Sequence, residues 1–250
     1  TFGAADGARI TSSNGFNVVG HQMHVDTFTA GGPYIYGVFA ATTGAVGATP
    51  GVEFLVRYDG SGTFLSSATL VGDRGGNGLT QDSAGNIYIS DKGSEGPPIG
   101  DRSIAKYSKD LAFVSSVTVF TNNVGPMAYD GTNIFASADG SHLLRLNTNL
   151  TVAASAQYTA TPGFNGTIGL AFDGAGNVFA GVEKVSSGTG ARLLRYPTNF
   201  ANNASPDFDV VVDTITLLPR LHQESLASVG GNLYIAANST DGTKTYIRKF

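Results

Sequence analysis

The amino-acid sequence predicts an all-β protein built from five similar units, and three observations lead to this prediction. An apolar pair followed by a basic residue recurs around Arg57, Lys106, Arg145, Arg195 and Lys249. Successive basic residues are 39 to 54 positions apart, which is about the length of one four-stranded propeller blade. Only 14% of the residues are charged while Gly, Ser and Thr are abundant, as in strand-and-turn proteins. We therefore expect a five-bladed β-propeller.

The first two strands of each unit are predicted from a recurring hairpin. Its clearest copy covers residues 78–89, and it returns at 169–180 and, in shorter form, at 126–135 and 225–234. In each copy a short apolar segment meets a turn of Asp, Gly and Asn, residues that tolerate positive φ. An alternating apolar segment follows the turn, so the two segments pair as antiparallel strands.

The basic repeat supplies the third strand, and segments such as residues 63–67 and 112–116 supply the fourth. Blades assembled in this way span about 18–72, 76–121, 123–161, 165–217 and 223–250, within one domain of 250 residues. The last blade lacks its fourth strand. Residues 7–13 resemble residues 62–67, so residues 1–13 are predicted to close the last blade within the same chain. The alternative is that they complete a neighbouring copy and link copies into a polymer.

Composition excludes several partners. A net charge of −4 and a pI near 5.4 leave no basic field for nucleic acid. No apolar run approaches the ~18 residues of a membrane span. The chain has no Cys, and a chain of this length can bury a core without disulfides. A start at Thr1 suits a processed, secreted form, so we expect an extracellular or cell-surface location. Four Asn-x-Ser/Thr sites, at Asn149, Asn165, Asn203 and Asn238, suit such a protein, although chance alone predicts a similar number.

The hairpin turn followed by the basic third strand resembles the repeats of NHL-type propellers and of the regucalcin/gluconolactonase-like superfamily. That superfamily holds a divalent metal with Glu, Asn and Asp from different blades. Asn77, in Asn77-Gly78-Leu79, matches its Asn-Gly-Leu ligand motif, and Glu224 is predicted at the equivalent position of the fifth blade. The other equivalents are Met23, Val124 and Ile168, which are not ligands for a hard cation. No Asp completes the set, so the resemblance implies the fold more strongly than the lactone-hydrolase activity.

Two His-Gln pairs form the most specific candidate site. His21-Gln22 and His222-Gln223 are predicted at equivalent places in the first and last blades, with His24 and Glu224 close by. Imidazole and carboxylate groups suit a divalent metal such as Zn, Mn or Ca, and an imidazole can also act as a general base. The candidate catalytic residues are therefore His21, His222 and Glu224, and the candidate metal ligands are these three with Asn77. The alternative is that both pairs cap strand ends by hydrogen bonding.

A second group of polar residues follows the second strands. Its members are Asp91, Asp139, Glu183 and Asn238, and they adjoin predicted loops at 40–51, 91–102 and 183–191. Long loops on one face of a rigid ring are a usual way to build a ligand cleft. Paired carboxylates can also cleave glycosides, but the chain has no Trp to stack against a sugar.

These patterns favour a secreted or cell-surface binding or assembly module that takes a small polar ligand, a glycan or a partner protein. The first alternative is a metal-assisted hydrolase or lyase for lactones or acidic sugars. The second is a structural subunit of an extracellular polymer. The repeated basic residues are predicted to be structural, as are the aromatic residues of the second strands, which are Tyr36, Tyr88, Phe135, Phe179 and Tyr234.

Overall fold

The computed structural model describes residues 22–26, 32–40, 53–70, 76–91, 103–119, 124–138, 142–158, 164–184, 192–211, 226–238 and 245–250. All regular elements within these ranges are β-strands. They contain no helix that is long and apolar enough to cross a membrane. The chain divides into two compact units, Thr1–Thr118 and Val119–Phe250.

The first unit contains two antiparallel sheets of four strands each. The first sheet is β1 (Gln22–Asp26), β2 (Tyr34–Ala40), β3 (Glu53–Asp59) and β4 (Phe64–Thr69), and the second is β5 (Gly76–Gln81), β6 (Ile87–Asp91), β7 (Ser103–Tyr107) and β8 (Phe113–Thr118). In both sheets the strands pair in chain order. The first strands of the two sheets, β1 and β5, contact each other. The unit is therefore two sheets that meet along their first strands.

The second unit contains two four-stranded sheets and one three-stranded sheet. The third sheet is β9 (Val124–Tyr129), β10 (Asn133–Ala138), β11 (His142–Asn147) and β12 (Val152–Gln157), and the fourth is β13 (Phe164–Phe172), β14 (Asn177–Lys184), β15 (Arg192–Pro197) and β16 (Phe208–Val211). The fifth is β17 (Leu226–Val229), β18 (Asn232–Asn238) and β19 (Thr245–Lys249). The strands again pair in chain order, and β13 contacts both β9 and β17.

This consecutive antiparallel order gives every sheet two distinct ends. At the turn end, the first strand leads into the second and the third into the fourth. At the connection end, the first strand begins, the second ends and the third begins. Most of the predicted site residues belong to the connection end, and the repeated Asp turns belong to the turn end.

The second strands are more deeply buried than the fourth strands. Strand β10 is buried along almost its whole length, whereas β4 alternates between half-buried and exposed residues. The second strand lies between two other strands of its sheet and is buried on both faces, while a fourth strand forms an edge with one face in water. The aromatic residues of the second strands are buried in four sheets, as predicted, and Tyr234 in the fifth sheet is half-buried.

In each unit, an apolar cluster joins two neighbouring sheets. In the first unit, Tyr36 and Leu55 of the first sheet share a cluster with Ile87 and Tyr107 of the second. In the second unit, Phe135 and Tyr158 pack in one cluster with residues of the fourth sheet, among them Phe200. These clusters are the interblade cores that the sequence predicts.

The turn end uses two kinds of tight turn. The first-to-second-strand turns place Gly85, Gly131, Gly174 and Gly176 at positive φ, which confirms the predicted Asp/Gly/Asn chemistry. The third-to-fourth-strand turns place Leu111 and Leu150 at φ values of 66° and 68°. Both leucines are buried, so burial of the side chain offsets the unfavourable backbone conformation.

The fifth sheet differs from the other four at its outer edge. Ile247 is 75% exposed, whereas the residues opposite the same second-strand position in the other sheets are at most 1% exposed. Those residues are Leu55, Ile104, Leu143 and Leu193. Among the described residues β19 pairs only with β18, so this sheet has three strands. Residues 1–13, which are predicted to supply the fourth, lie outside the described residues.

Candidate functional site

The connection end of the second sheet brings two predicted site residues together. Gly76 pairs with Asp91 and Gly78 pairs with Ser90, so Asn77 lies between the two pairs as a bulge residue. A bulge interrupts the hydrogen-bonded ladder and re-aims a side chain, and bulges are common beside binding sites. Asn77 and Asp91 are therefore neighbours across β5 and β6 at one end of the sheet.

The structure places four more predicted residues on strands. Gln22 is the first residue of β1 and pairs with Val38, and Asn238 is the last residue of β18. Glu183 lies one residue before the end of β14, opposite Gly166. His24 pairs with Tyr36 in the middle of β1, so it lies further from the connection end than Gln22.

The remaining predicted residues are His21, Asp139, His222, Gln223 and Glu224, and they lie outside the described residues. Their roles as ligands or catalytic groups stay predictions. Among the described residues, no group of three or more His, Asp or Glu side chains is arranged to hold a metal ion.

The strand register corrects the equivalences proposed for Asn77. Met23 pairs with Gly37 and takes the place of Leu79, which pairs with Ile89. The position of Asn77 therefore falls on His21, directly before β1. In the third sheet a register shift near Ser137 puts Val124 in the place of Gly76, so the position of Asn77 falls on Gly125. The assignments to Met23 and Val124 were wrong because a sequence pattern does not fix which residues of two strands pair with each other.

In the fifth sheet, Ala227 pairs with Tyr234 as His24 pairs with Tyr36 in the first sheet. His222, Gln223 and Glu224 precede the described part of the fifth sheet, so the equivalence of the two His-Gln pairs and the place of Glu224 stay predictions. The position of Asn77 falls on His21 in the first sheet, on Gly125 in the third and on Ile168 in the fourth.

The turn end of the second sheet holds a buried carboxylate, Asp82, which the sequence pattern predicts only as a turn residue. Asp82 is 3% exposed. Its Oδ1 accepts hydrogen bonds from the backbone N–H groups of Ala84 and Asn86, each at 2.9 Å. Its Oδ2 accepts from the Tyr88 hydroxyl at 2.7 Å and lies 4.0 Å from the Lys106 ammonium. Buried carboxylates require such partners, so this group stabilises the fold.

The first sheet repeats part of this arrangement. Asp26 occupies the place of Asp82 and is fully buried, and Tyr36 occupies the place of Tyr88. Burial raises the pKa of Tyr36, the Asp26 carboxylate raises it further, and Arg57 partly offsets both effects. An Asp at the start of the turn, a Tyr in the second strand and a basic residue in the third are the sequence signature of this group.

Arg57 and Arg145, two of the repeated basic residues, have structural partners, as predicted. In the first unit, Arg57 donates to the Lys109 carbonyl at 2.9 Å and lies over the Tyr34 ring. In the second unit, Arg145 donates to the Thr198 carbonyl at 3.1 Å and lies over the Phe200 ring. Each of these arginines therefore links its sheet to the next sheet of the same unit.

Comparison with known proteins identifies the fold. Neither a protein-family model nor a curated protein sequence matches the chain. Among solved structures, the chain is similar to a streptogramin B lyase with a TM-score of 0.58 and 12% identity, over 91% of this chain and 67% of the other. It is also similar to BamB from Moraxella catarrhalis, with a TM-score of 0.51 and 12% identity, over 90% and 66% of the two chains.

A third similar structure, KlHsv2 with one loop replaced by a Gly-Ser linker, has a TM-score of 0.55 at 8% identity, over 94% and 71% of the two chains. The chain thus spans about two thirds of the length of these structures. Streptogramin B lyase and BamB are β-propellers, and the chain has the same class of fold. At these identities the likeness defines the fold alone.

Proposed function

We propose that this β-propeller is an extracellular binding or assembly module whose binding surface is the connection end of its sheets. The observation that carries the proposal is the strand pairing at that end, because Gly76 pairs with Asp91 and Asn77 is the next residue along β5. Convergent polar groups on a rigid sheet are suited to a small polar ligand, a glycan or a polar patch on a partner protein.

The lengths of the chain connections support this choice of end. At the connection end of the first unit, residues 41–52 and 92–102 join second strands to third strands. At the turn end of the same unit, the third-to-fourth-strand turns are short, at residues 60–63 and 108–112. Propellers place binding residues on long loops carried by rigid strands, since loop sequence can vary without changing the sheets.

The proposal includes a ring of five blades in which residues 1–13 provide the fourth strand of the fifth sheet. It is supported by the exposed Ile247, whose counterparts are buried in every four-stranded sheet. A closed ring predicts a monomer by light scattering, whose mass does not change on dilution. Copies that form chains would instead favour donation of residues 1–13 to a neighbour and a structural, polymer-forming role.

Binding is tested on an array of neutral and acidic oligosaccharides with two matched variants of the second sheet. Asn77→Ala/Asp91→Ala changes the connection end, and Ser83→Ala/Lys109→Ser changes the turn end. We expect the first variant to lose at least about tenfold in affinity, because a buried polar contact contributes about 1.5 kcal/mol. The second should bind like the wild type. Equal loss in both variants, or loss in the turn-end variant alone, would contradict the proposal.

A metal-assisted hydrolase or lyase is the second candidate. Two observations favour it: the register aligns Asn77 of the second sheet with His21 of the first, and one similar structure is a streptogramin B lyase. Asn, His and Glu together suit Zn or Mn, and Ca would use the two oxygen ligands. The test is metal content by mass spectrometry of the purified protein and of a His21→Ala/Glu224→Ala variant. A stoichiometric metal that the variant loses supports the enzyme, and equal metal content in both proteins overturns it.

A further inference from the structure

We propose that Asn149 is an N-glycosylation site at the turn end of the third sheet. The inference rests on the extracellular location proposed above, because this modification is made on exported chains. Residues 149–151 read Asn-Leu-Thr, the acceptor sequence for transfer of an oligosaccharide to an asparagine amide. Three other acceptor sequences occur in the chain, and the structure distinguishes Asn149 from them.

The turn that joins β11 to β12 presents Asn149 at the surface. Its backbone is closed by two hydrogen bonds of 2.9 Å, from the N–H of Leu150 to the carbonyl of Asn147 and from the N–H of Asn147 to the carbonyl of Thr151. Leu150 is 3% exposed and anchors the turn to the core. Asn149 and Thr151, the two residues that a transferase must recognise, are both exposed.

A hydrogen bond within the acceptor sequence prepares the asparagine amide. The backbone N–H of Thr151 donates to Oδ1 of Asn149 at 3.1 Å. A donor on the amide oxygen draws electron density toward that oxygen and makes the N–H groups of Nδ2 more acidic. The folded turn therefore holds Asn149 in a conformation in which its amide nitrogen gives up a proton more easily.

The transfer itself needs a carrier that the proposal names by class, an oligosaccharide linked through its anomeric carbon to a lipid diphosphate. Nδ2 of Asn149 attacks the anomeric carbon and forms a C–N bond. The bond between that carbon and the diphosphate oxygen breaks, and the lipid diphosphate leaves with the electron pair. One Nδ2 proton passes to a base of the transferase, so atoms and charge balance.

The other three acceptor sequences are less suited to transfer. Asn203 is exposed, but its backbone N–H donates to the Ser155 carbonyl at 2.7 Å, which ties this segment to β12. Asn165 belongs to β13 and Asn238 to β18, where the backbone is part of a sheet. A glycan on Asn149 would also leave the connection end uncovered, since the turn lies at the opposite end of its sheet.

The test uses the whole chain secreted from a eukaryotic host, with intact-mass and peptide mapping before and after peptide N-glycosidase. We expect the enzyme to lower the mass of the wild type and to convert Asn149 to Asp. Asn149→Gln and Thr151→Val should lose this glycan, whereas Thr151→Ser, which keeps the hydroxyl, and Asn203→Gln should retain it. Secreted, folded wild type with unmodified Asn149 would overturn the inference.

The oligosaccharide array described above is applied to the same secreted samples. A glycan on Asn149 together with array binding that Asn77→Ala/Asp91→Ala leaves unchanged would overturn the proposed binding surface and leave the glycosylation site standing. Array binding by a chain with unmodified Asn149 would overturn the glycosylation site and leave the binding function standing. The two proposals can therefore fail separately.

Discussion

The second and fourth sheets contain the same turn sequence, but they differ in how deeply its Asp is buried and in the aromatic residue of the second strand. Asp82 and Asp173 both begin an Asp-x-x-Gly-Asn turn, and both accept hydrogen bonds from the asparagine at its end. In the second sheet the carboxylate is buried and also binds Tyr88. In the fourth sheet Asp173 is half-buried, and Phe179 occupies the place of Tyr88.

The difference shows that one turn sequence serves two kinds of core. Where the second strand carries Tyr, the carboxylate accepts from it and lies near Lys106 inside the sheet. Where it carries Phe, the aromatic ring packs against apolar residues, and Arg195 pairs with Asp207 at the surface instead. The polar version depends on every partner being present, whereas the apolar version does not.

The largest expected effect comes from removing the two carboxylates. Asp82→Ala leaves the Tyr88 hydroxyl and the Lys106 ammonium without this acceptor inside the protein, so we expect a loss of about 3 kcal/mol in the free energy of unfolding. Asp173→Ala removes only turn hydrogen bonds and should cost about 1 kcal/mol. Urea denaturation of both variants measures the difference, and equal losses would show that burial of Asp82 contributes little.

A smaller effect is expected from the tyrosine hydroxyl. Tyr88→Phe removes one hydrogen bond to a buried carboxylate and should cost about 1.5 kcal/mol in urea denaturation. Tyr234→Phe is the matched control, because Val229 occupies the place of Asp82 in the fifth sheet. The control should stay within about 0.5 kcal/mol of the wild type. If Tyr234→Phe destabilised the protein as much as Tyr88→Phe, the effect of the Tyr88 hydroxyl would not come from its hydrogen bond to the Asp82 carboxylate.

The third comparison concerns the basic residues. Arg145→Met removes a hydrogen bond to the next sheet while keeping an apolar stem, and should cost about 1 kcal/mol. Arg195→Met removes an exposed ion pair with Asp207 and should cost less than about 0.5 kcal/mol. Thermal denaturation measures both losses, and Arg145→Met should lower the melting temperature more than Arg195→Met. The reverse order would place the stabilising link in the surface pair.

The smallest expected effect is a pH dependence from Asp173. Burial raises the pKa of its carboxyl, but hydrogen bonds from the Asn177 side chain and from the N–H groups of Ala175 and Asn177 outweigh burial and hold the pKa below its ordinary value of 3.8. The stabilisation is therefore present above about pH 4 and is lost as the pH falls through the lowered pKa. Asp173→Asn should flatten the fall in melting temperature between pH 5 and pH 2, and an unchanged slope would contradict this cause.

Strand positions and turns could be predicted because they depend on local patterns. Alternation along β4 and glycine at positive φ in the Asp turns are both readable from single segments. Register could not be predicted to the residue, because the bulge at Asn77 and the shift near Ser137 depend on pairing with the second strand.

The candidate site was harder to predict than the fold. The burial of Asp82 depends on Tyr88 and Lys106, which lie on two other strands, so no local pattern reveals it. At the connection end, the neighbourhood of Asn77 and Asp91 follows from the predicted strand order. The His-Gln pairs were chosen by their likeness in sequence, and their equivalence stays a prediction because His21, His222 and Gln223 lie outside the described residues.

The central claim is that this propeller binds through the connection end of its sheets. Titration of a bound oligosaccharide from the array into the wild type, Asn77→Ala/Asp91→Ala and Ser83→Ala/Lys109→Ser tests it most directly, because all four changes lie in one sheet. We predict at least about a tenfold weaker Kd for the connection-end variant and an unchanged Kd for the turn-end variant. Weaker binding by the turn-end variant with an unchanged connection-end variant would contradict the claim.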